Sequence, residues 1–312
     1  MIARRAVAAA ALAGAVWGAV GGAAGGAAAC GGDDAPGMPD APGGPDARPD
    51  APPGCTRPDL EASWLRPLLS DAVAGLAATP RFLTQDRDAA RTFLAGQLTA
   101  MGWTAELQLY PGGINVHATI PATLPGGAAV VVGAHFDTVD QSPGANDNAS
   151  GAAVVLAVAR YLRDVPCRTA PVIVALFDQE ETGLFGSRAF AQMLDPAAVR
   201  AVHTIDQVAW DADGDRRFEI EQPTAQLAAE WRAAAAVVGA SVAATPTGGT
   251  DHDSFRARGF PAVGLTEEYV GGDTSPWRHT AQDTPASIAP YLEYMALAAK
   301  LTAQVVMDEA AP

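Results

Sequence analysis

Two hydrophobic rhythms alternate along the chain once its first fifty or so residues are past. Residues 59–78 and 86–101 carry apolar side chains at helical spacing, with Phe93, Leu94, Leu98 and Met101 on one face of the second stretch. Residues 103–109 and 114–120 change to the alternation of strands, and Pro111-Gly112-Gly113 between them is a turn signal, so the pair reads as an edge hairpin. Short, continuously apolar runs follow at 130–132, 172–177, 201–205 and 262–265, with a further strand at 218–221. Helical spacing returns at 151–163, 187–194, 224–238 and 285–307, where Ile288, Leu292, Met295, Ala299 and Val306 form an inner face. Strands with no polar face, interleaved with helices, predict an α/β fold: a mostly parallel sheet sandwiched by helices. Residues 55–308 have the length of a single catalytic domain, and 309–312 are a tail.

The amino-terminal part has neither rhythm. Residues 1–29 open with Arg4-Arg5, run on as Ala, Gly and Val, and close on Ala27-Ala28-Ala29, an A-x-A pattern that reads as an export signal peptide. The run is poor in Leu and Ile, so a retained anchor helix is the minority alternative. Cys30 follows the small residues as the acylated cysteine of bacterial lipoproteins does, with Ala27 where a leucine is usual, and Arg4-Arg5 leaves the twin-arginine route open. Residues 30–54 are a Pro/Asp/Ala-rich stretch unable to bury apolar surface, which predicts a disordered tether. Part of the formal charge of −15 lies there; the acidic balance argues against a nucleic-acid partner. The expected location is outside the cytoplasm, as a cell-envelope lipoprotein or a secreted protein, touching membrane only through Cys30. Cys55 and Cys167 remain, to be read either as a disulfide or as two free thiols.

Chemistry gathers where the apolar strands end. His135, Asp137 and Asp147 follow the run at 130–132; Asp178-Gln179-Glu180-Glu181 follows 172–177; Asp206 follows 201–205; His279-Thr280 and Asp283 lie on the loop after 262–265. In open α/β sheets, sites form just beyond the carboxyl ends of strands. Two imidazoles and several carboxylates on one rim suit zinc or a similar divalent ion, and the surplus over one tetrahedral shell suggests two ions sharing a bridging carboxylate. Asp137, two residues beyond His135 on an extended segment, points to the same side and can accept the second imidazole N–H. His117 and His203 fall on predicted strands and read as packing residues, and Asn148 to Gly151 reads as a turn and helix cap.

The motifs GAHFDT, PGANDNASG, DQEETGLFGS, TIDQV, GGTDHDSF and HTAQDT stand in one order along the chain, and together they resemble the co-catalytic di-zinc aminopeptidases of peptidase family M28. The resemblance covers essentially the whole folded part and implies the zinc exopeptidase (phosphorylase/hydrolase-like) fold. It also implies two Zn2+ ions, one bound by His135 and Asp206, the other by Glu181 and His279, with Asp147 bridging. The catalytic candidates are then Glu180, as general base to a metal-bridging hydroxide, and Asp137, as orienter of His135. Peptide or protein N-termini would be the substrate, with the free α-amine docked at the metal pair. Gln207 stands where relatives often carry methionine, and Thr247-Gly248-Gly249 occupies a stretch where some relatives have an oxyanion-stabilising tyrosine. Tyr269 is a weak candidate for that task, and Trp210 and Trp277 are even candidates for a pocket wall or for packing. Other readings stay open: a glutaminyl cyclase-like aminoacyltransferase, a carboxypeptidase of the same fold, or a noncatalytic surface protein that binds metal or peptide.

Overall fold

The structure is a computed structural model that describes residues 54–312; the expectations for the signal, Cys30 and the tether lie outside the described residues. Strands β1 (Glu106–Tyr110), β2 (Gly113–Ile120), β3 (Ala129–His135), β4 (Val172–Phe177), β5 (Val199–Ile205), β6 (Arg217–Glu221), β7 (Ser241–Thr245) and β8 (Ala262–Thr266) form one sheet in the order β1-β2-β4-β3-β5-β8-β6-β7. Its centre, β4-β3-β5-β8, is parallel throughout, while β1, β2 and β6 join antiparallel. The sheet is therefore mixed at its flanks and parallel where the ligand-bearing loops leave it. The hairpin turns at Pro111-Gly112, where Gly112 takes φ +97°, a left-handed value that costs a residue without a Cβ least.

Period-two alternation divides the core between the two faces. Val130, Val132, Val172, Val174 and Leu176 point into a large cluster with helices α1 (Leu65–Leu76), α3 (Gly151–Arg163), α5 (Ala225–Val238) and α8 (Leu292–Ala310). Val131, Ala175 and Phe177 point the other way, onto Phe190 of α4 (Phe185–Met193) and Phe255 of α6 (Asp251–Arg256). Each fully buried Val contributes ~1.5–3 kcal/mol, so a charge at Val131 or Val132 would break one face or the other. Helix α2 (Thr84–Ala100) is anchored by Leu94 and Leu98. Helix α8 is buried almost all round, which its run of Ala, Leu, Val and Met permits. Among the described residues no helix is long and apolar enough to cross a membrane.

Three sequence expectations need correction. The closing helix expected over 285–307 is broken: α7 (Pro285–Ile288) gives way to a 3-10 turn at Ala289–Tyr291 before α8 begins. Pro290 has no N–H to donate and its ring crowds the preceding turn, which accounts for the break. Strand β7 is an edge strand of small residues, and α6 reads DHDSFR with Phe255 as its one apolar anchor, so neither carries enough periodicity to be recognised. The first helix begins at Leu65 rather than at 59, since residues 59–64 form turns. Of the two readings of the cysteines, the bonded one holds: Cys55 and Cys167 form a disulfide with Cα atoms 5.2 Å apart, joining the start of the domain to the loop before β4.

Candidate metal centre

Because β4, β3, β5 and β8 are parallel neighbours, their carboxyl ends open on one rim. His135 is the last residue of β3, and its side chain is 1 % exposed. Its Nε2 lies 3.4 Å from Asp147 Oδ1 and 3.4 Å from Asp206 Oδ1. The other oxygen of Asp147, Oδ2, lies 3.1 Å from His279 Nε2, which is itself 3.1 Å from Glu181 Oε2. Two donor triads result, His135–Asp147–Asp206 and Asp147–Glu181–His279, and within each the ligand atoms lie within 4.8 Å of one another. Asp147 offers one oxygen to each. All five residues expected as ligands are thus brought together.

The polar inventory fits divalent cations. His135 Nε2, Glu181 Oε1 and Asp206 Oδ1 are buried without a hydrogen-bond partner, the condition of groups built to coordinate. Burial, with the carboxylates Asp251, Asp206 and Glu181 adding to it against His135, pushes Glu180 up to about 10, and burial also raises Glu181. Burial acts on Asp147 in the same sense, but His135 and His279 outweigh it and hold its carboxyl far below the ordinary range. Hydrogen bonds to Asp147 and Glu181 lift His279 to about 9. Carboxylates crowded in this way need positive charge among them, and two zinc ions shared through Asp147 would supply it.

The loops are held by side chains that do not ligate. Asp137 lies 3.4 Å from His135 Nδ1, and its two oxygens accept the backbone N–H groups of Glu180 (2.9 Å) and Glu181 (3.2 Å). One carboxylate therefore orients an imidazole from β3 and fixes the turn after β4. Glu180 faces the centre, its Oε2 4.0 Å from His135 Nε2, and belongs to neither triad. Asp178, in the same motif, turns away into ion pairs with Arg87 (2.8 Å) and Arg91 (2.9 Å) of α2 and takes no part in the centre. Asn148 Oδ1 accepts from Gly151 N (2.9 Å) and Gln207 N (3.2 Å), capping α3 as expected and tying it to the loop of Asp206. Ser150 donates to Asn146 O (2.7 Å) and accepts from Val208 N (3.0 Å), a structural role.

Several supports had no sequence signal. Arg81, 1 % exposed, donates from its guanidinium to the carbonyls of Leu76, Phe136, Pro143 and Gly144, so it grips the backbone beside both His135 and Asp147. Asp283 N donates to Thr280 O (3.2 Å) within the loop of His279, and its carboxylate accepts from Asn146 N (2.7 Å) and Asp147 N (3.0 Å), tying that loop to Asp147. A second anchor of the His279 loop is Glu267, which accepts from Ser275 N (2.7 Å), Thr274 Oγ1 (2.9 Å) and Asn146 Nδ2 (2.9 Å). His252 enters neither triad; its Nδ1 bonds Thr250 Oγ1 at 2.9 Å. His117 packs edge-on to Phe190, and His203 lies between Trp231 and Glu309. Trp210 packs on Tyr291, and the cavity beside Asp206 is lined by Tyr269 rather than by either candidate tryptophan.

Residues 115–301 match the model of Peptidase family M28. Aminopeptidase YwaD of Bacillus subtilis (strain 168) is 32 % identical over 167 residues, covering 50 % of this chain and 36 % of that protein. The chain thus spans about a third of the length of that curated relative. Among solved structures, a zinc aminopeptidase from Bacillus subtilis, BSAP, superimposes with TM-score 0.59 at 25 % identity, covering 64 % of this chain and 50 % of the other. The aminopeptidase from Aneurinibacillus sp. strain AM-1 gives TM-score 0.72 over 79 % of this chain and 94 % of its own, at 16 % identity, a likeness of fold.

Proposed function

The chain belongs to peptidase family M28, and from that membership together with the paired triads we propose that it is a zinc-dependent aminopeptidase. The observation that carries the proposal is Asp147, one buried carboxylate with an oxygen in each of two donor sets. His135 and Asp206 would hold one zinc and Glu181 and His279 the other. When bound, the ions supply Lewis acidity toward a peptide carbonyl and make water acidic enough to lose a proton near neutral pH. Asp137 keeps the His135 imidazole in one tautomer and holds Glu180 and Glu181 in register through their N–H groups. Glu180 takes a proton at its carboxylate from the attacking water and returns it to the leaving amine. The relatives named aminopeptidases support cleavage from the amino terminus.

Residues 1–29 as an export signal, 30–54 as a tether and Cys30 as a lipid attachment point complete the proposal; the Cys55–Cys167 disulfide supports an oxidising compartment. The test is metal analysis with aminoacyl arylamide turnover. We expect two zinc ions per chain, activity that falls with chelation and returns with zinc, and a loss of at least ~100-fold in kcat for Glu180→Gln with zinc retained. Ammonia release without cleavage from a peptide with N-terminal glutamine would move the chain to the cyclases. Full activity of Glu180→Gln would remove the proposal.

A further inference from the structure

Beside the triad of Asp206 lies a cavity of about 100 Å³, closed on one side by the 247–250 loop and on the other by Tyr269 and Arg278. Its wall is polar. Gln207 is 4 % exposed and its Oε1 has no hydrogen-bond partner among the described residues. Thr250, Thr266 and Glu221 add two hydroxyls and a carboxyl. An aliphatic side chain placed there would strip water from these groups and offer nothing in exchange.

Arg278 stands at the mouth. Its Nε donates to Asp147 Oδ2 at 3.1 Å and its guanidinium lies 5.8 Å from the centre of the Tyr269 ring, which fixes the plane of the fork. Its two terminal nitrogens have no protein partner among the described residues, and the side chain is 38 % exposed. A fork held at one nitrogen with its other donors open is the arrangement that receives a carboxylate. Two acidic residues share the cavity. Asp206 is committed to its donor triad, and Glu221, whose carboxyl burial pushes up, accepts from Thr250 Oγ1 at 3.4 Å.

We propose that Arg278 forms the specificity contact for an acidic side chain on the substrate's first residue, in a pocket with Gln207 on its wall, so that the enzyme favours N-terminal glutamate or aspartate. The inference rests on the aminopeptidase reading and adds its substrate class. A side chain, rather than the far carboxylate of a short peptide, is indicated because the cavity adjoins Asp206 directly and is backed by the 247–250 loop.

The test uses the zinc-loaded full chain and p-nitroanilides of Glu, Asp, Gln, Leu and Lys. Glu and Gln differ by charge at nearly constant shape, and kcat/KM should favour Glu by at least ~10-fold, mostly through KM. In Arg278→Met the Glu/Gln ratio should fall to near one, and Arg278→Lys should restore part of it; zinc content is measured in each variant. Independently of any variant, calorimetry on the wild type should show free L-glutamate binding at least ~10-fold more tightly than L-glutamine. Preference for Leu or Lys, equal binding of the two free amino acids, or an unchanged Glu/Gln ratio in a zinc-replete Arg278→Met would overturn the inference. So would an Arg278-dependent preference for Leu-Gly over its C-terminal amide, which would give the fork to the other carboxylate. Turnover of Leu with indifference to Glu retires this inference alone; no turnover of any arylamide retires the aminopeptidase reading, and the calorimetric comparison still decides the pocket.

Discussion

Replacing Arg81 by methionine should cost ~3–5 kcal/mol of stability, the usual penalty for breaking a buried charged network. The magnitude follows from what the guanidinium holds. Four main-chain carbonyls, at Leu76, Phe136, Pro143 and Gly144, accept from it, whereas the bond from the Arg81 backbone N–H to Thr138 Oγ1 (2.8 Å) survives the substitution. Hydrogen bonds from a charged donor contribute ~1.5–3 kcal/mol each, and a buried acceptor left unpaired costs ~1–3 kcal/mol. Two effects reduce the gross loss. Burial lowers Arg81 to about 10 against the pull of Asp137, Asp283, Asp147 and Glu181, so part of the bond energy already offsets desolvation. Gly144 O keeps a second donor, Ala149 N at 3.0 Å. Methionine matches the length of the stem, so packing is nearly conserved and the loss isolates the head group. The assay is urea unfolding followed by tryptophan fluorescence, at constant m, with zinc titrated against a chromophoric chelator. Metal affinity should fall ~10–100-fold, since Phe136 O and Gly144 O lie beside His135, Asp137 and Asp147. A stability change under ~1 kcal/mol with unaltered zinc affinity would refute the idea that Arg81 holds the two ligand loops together.

Two other outcomes follow from the same coordinates. The disulfide closes 112 residues, so the Cys55→Ser/Cys167→Ser chain should lose ~4–5 kcal/mol by chain entropy, seen as a lower urea midpoint that dithiothreitol reproduces in the wild type; coincident midpoints for all three samples would contradict it. Burial raises Glu309, but the hydrogen bonds of His203 and Glu230 pull it below its ordinary value, so its contribution is present above pH ~4.5 and is lost as pH falls through its folded value. Trp231 Nε1 donates to His203 Nδ1 at 3.2 Å, which leaves the other nitrogen to donate to Glu309 at 3.1 Å. The stability gap between wild type and Glu309→Gln should therefore be widest near pH 7 and close toward pH 3; a gap that widens on acidification would reverse the sign.

What could be read from the chain and what could not divide along a physical line. The strand β4 and the helix α3 were expected with their observed bounds because each is a dense, uninterrupted pattern whose period is local. That His135, Asp147, Glu181, Asp206 and His279 would come together was legible for a related reason: each ends or follows an apolar strand or lies on a loop leaving one, and strands that are parallel deliver such residues to one edge. Of the supports, Asp137 was legible from its spacing to His135, and Arg81 was not: it bonds carbonyls, and every residue of a chain offers that partner, so nothing in its spacing marks it. Asp178 misleads in the opposite way: it sits in the run of ligands, yet the strand's pleat aims it at Arg87 and Arg91.

The same line accounts for how the centre comes to be rigid. Four loops meet at the rim, and a buried loop is costly because its own N–H and C=O groups lose water. Here those groups are met by charged side chains placed between loops: Asp137 joins the turn after β4 to β3, Asp283 joins the loop of His279 to that of Asp147, and Glu267 joins β8 to Asn146. Each bond couples two ligands that are far apart in the chain, so the position of one is set by the loop of another. His279, its side chain 36 % exposed, is the ligand least enclosed by this network, and it sits next to Arg278, where the open cavity begins. The two triads are therefore enclosed unequally: His135 is sealed at 1 % exposure, while Asp206, 14 % exposed, lines the cavity together with Arg278, so the rim opens beside Asp206 as well as at His279.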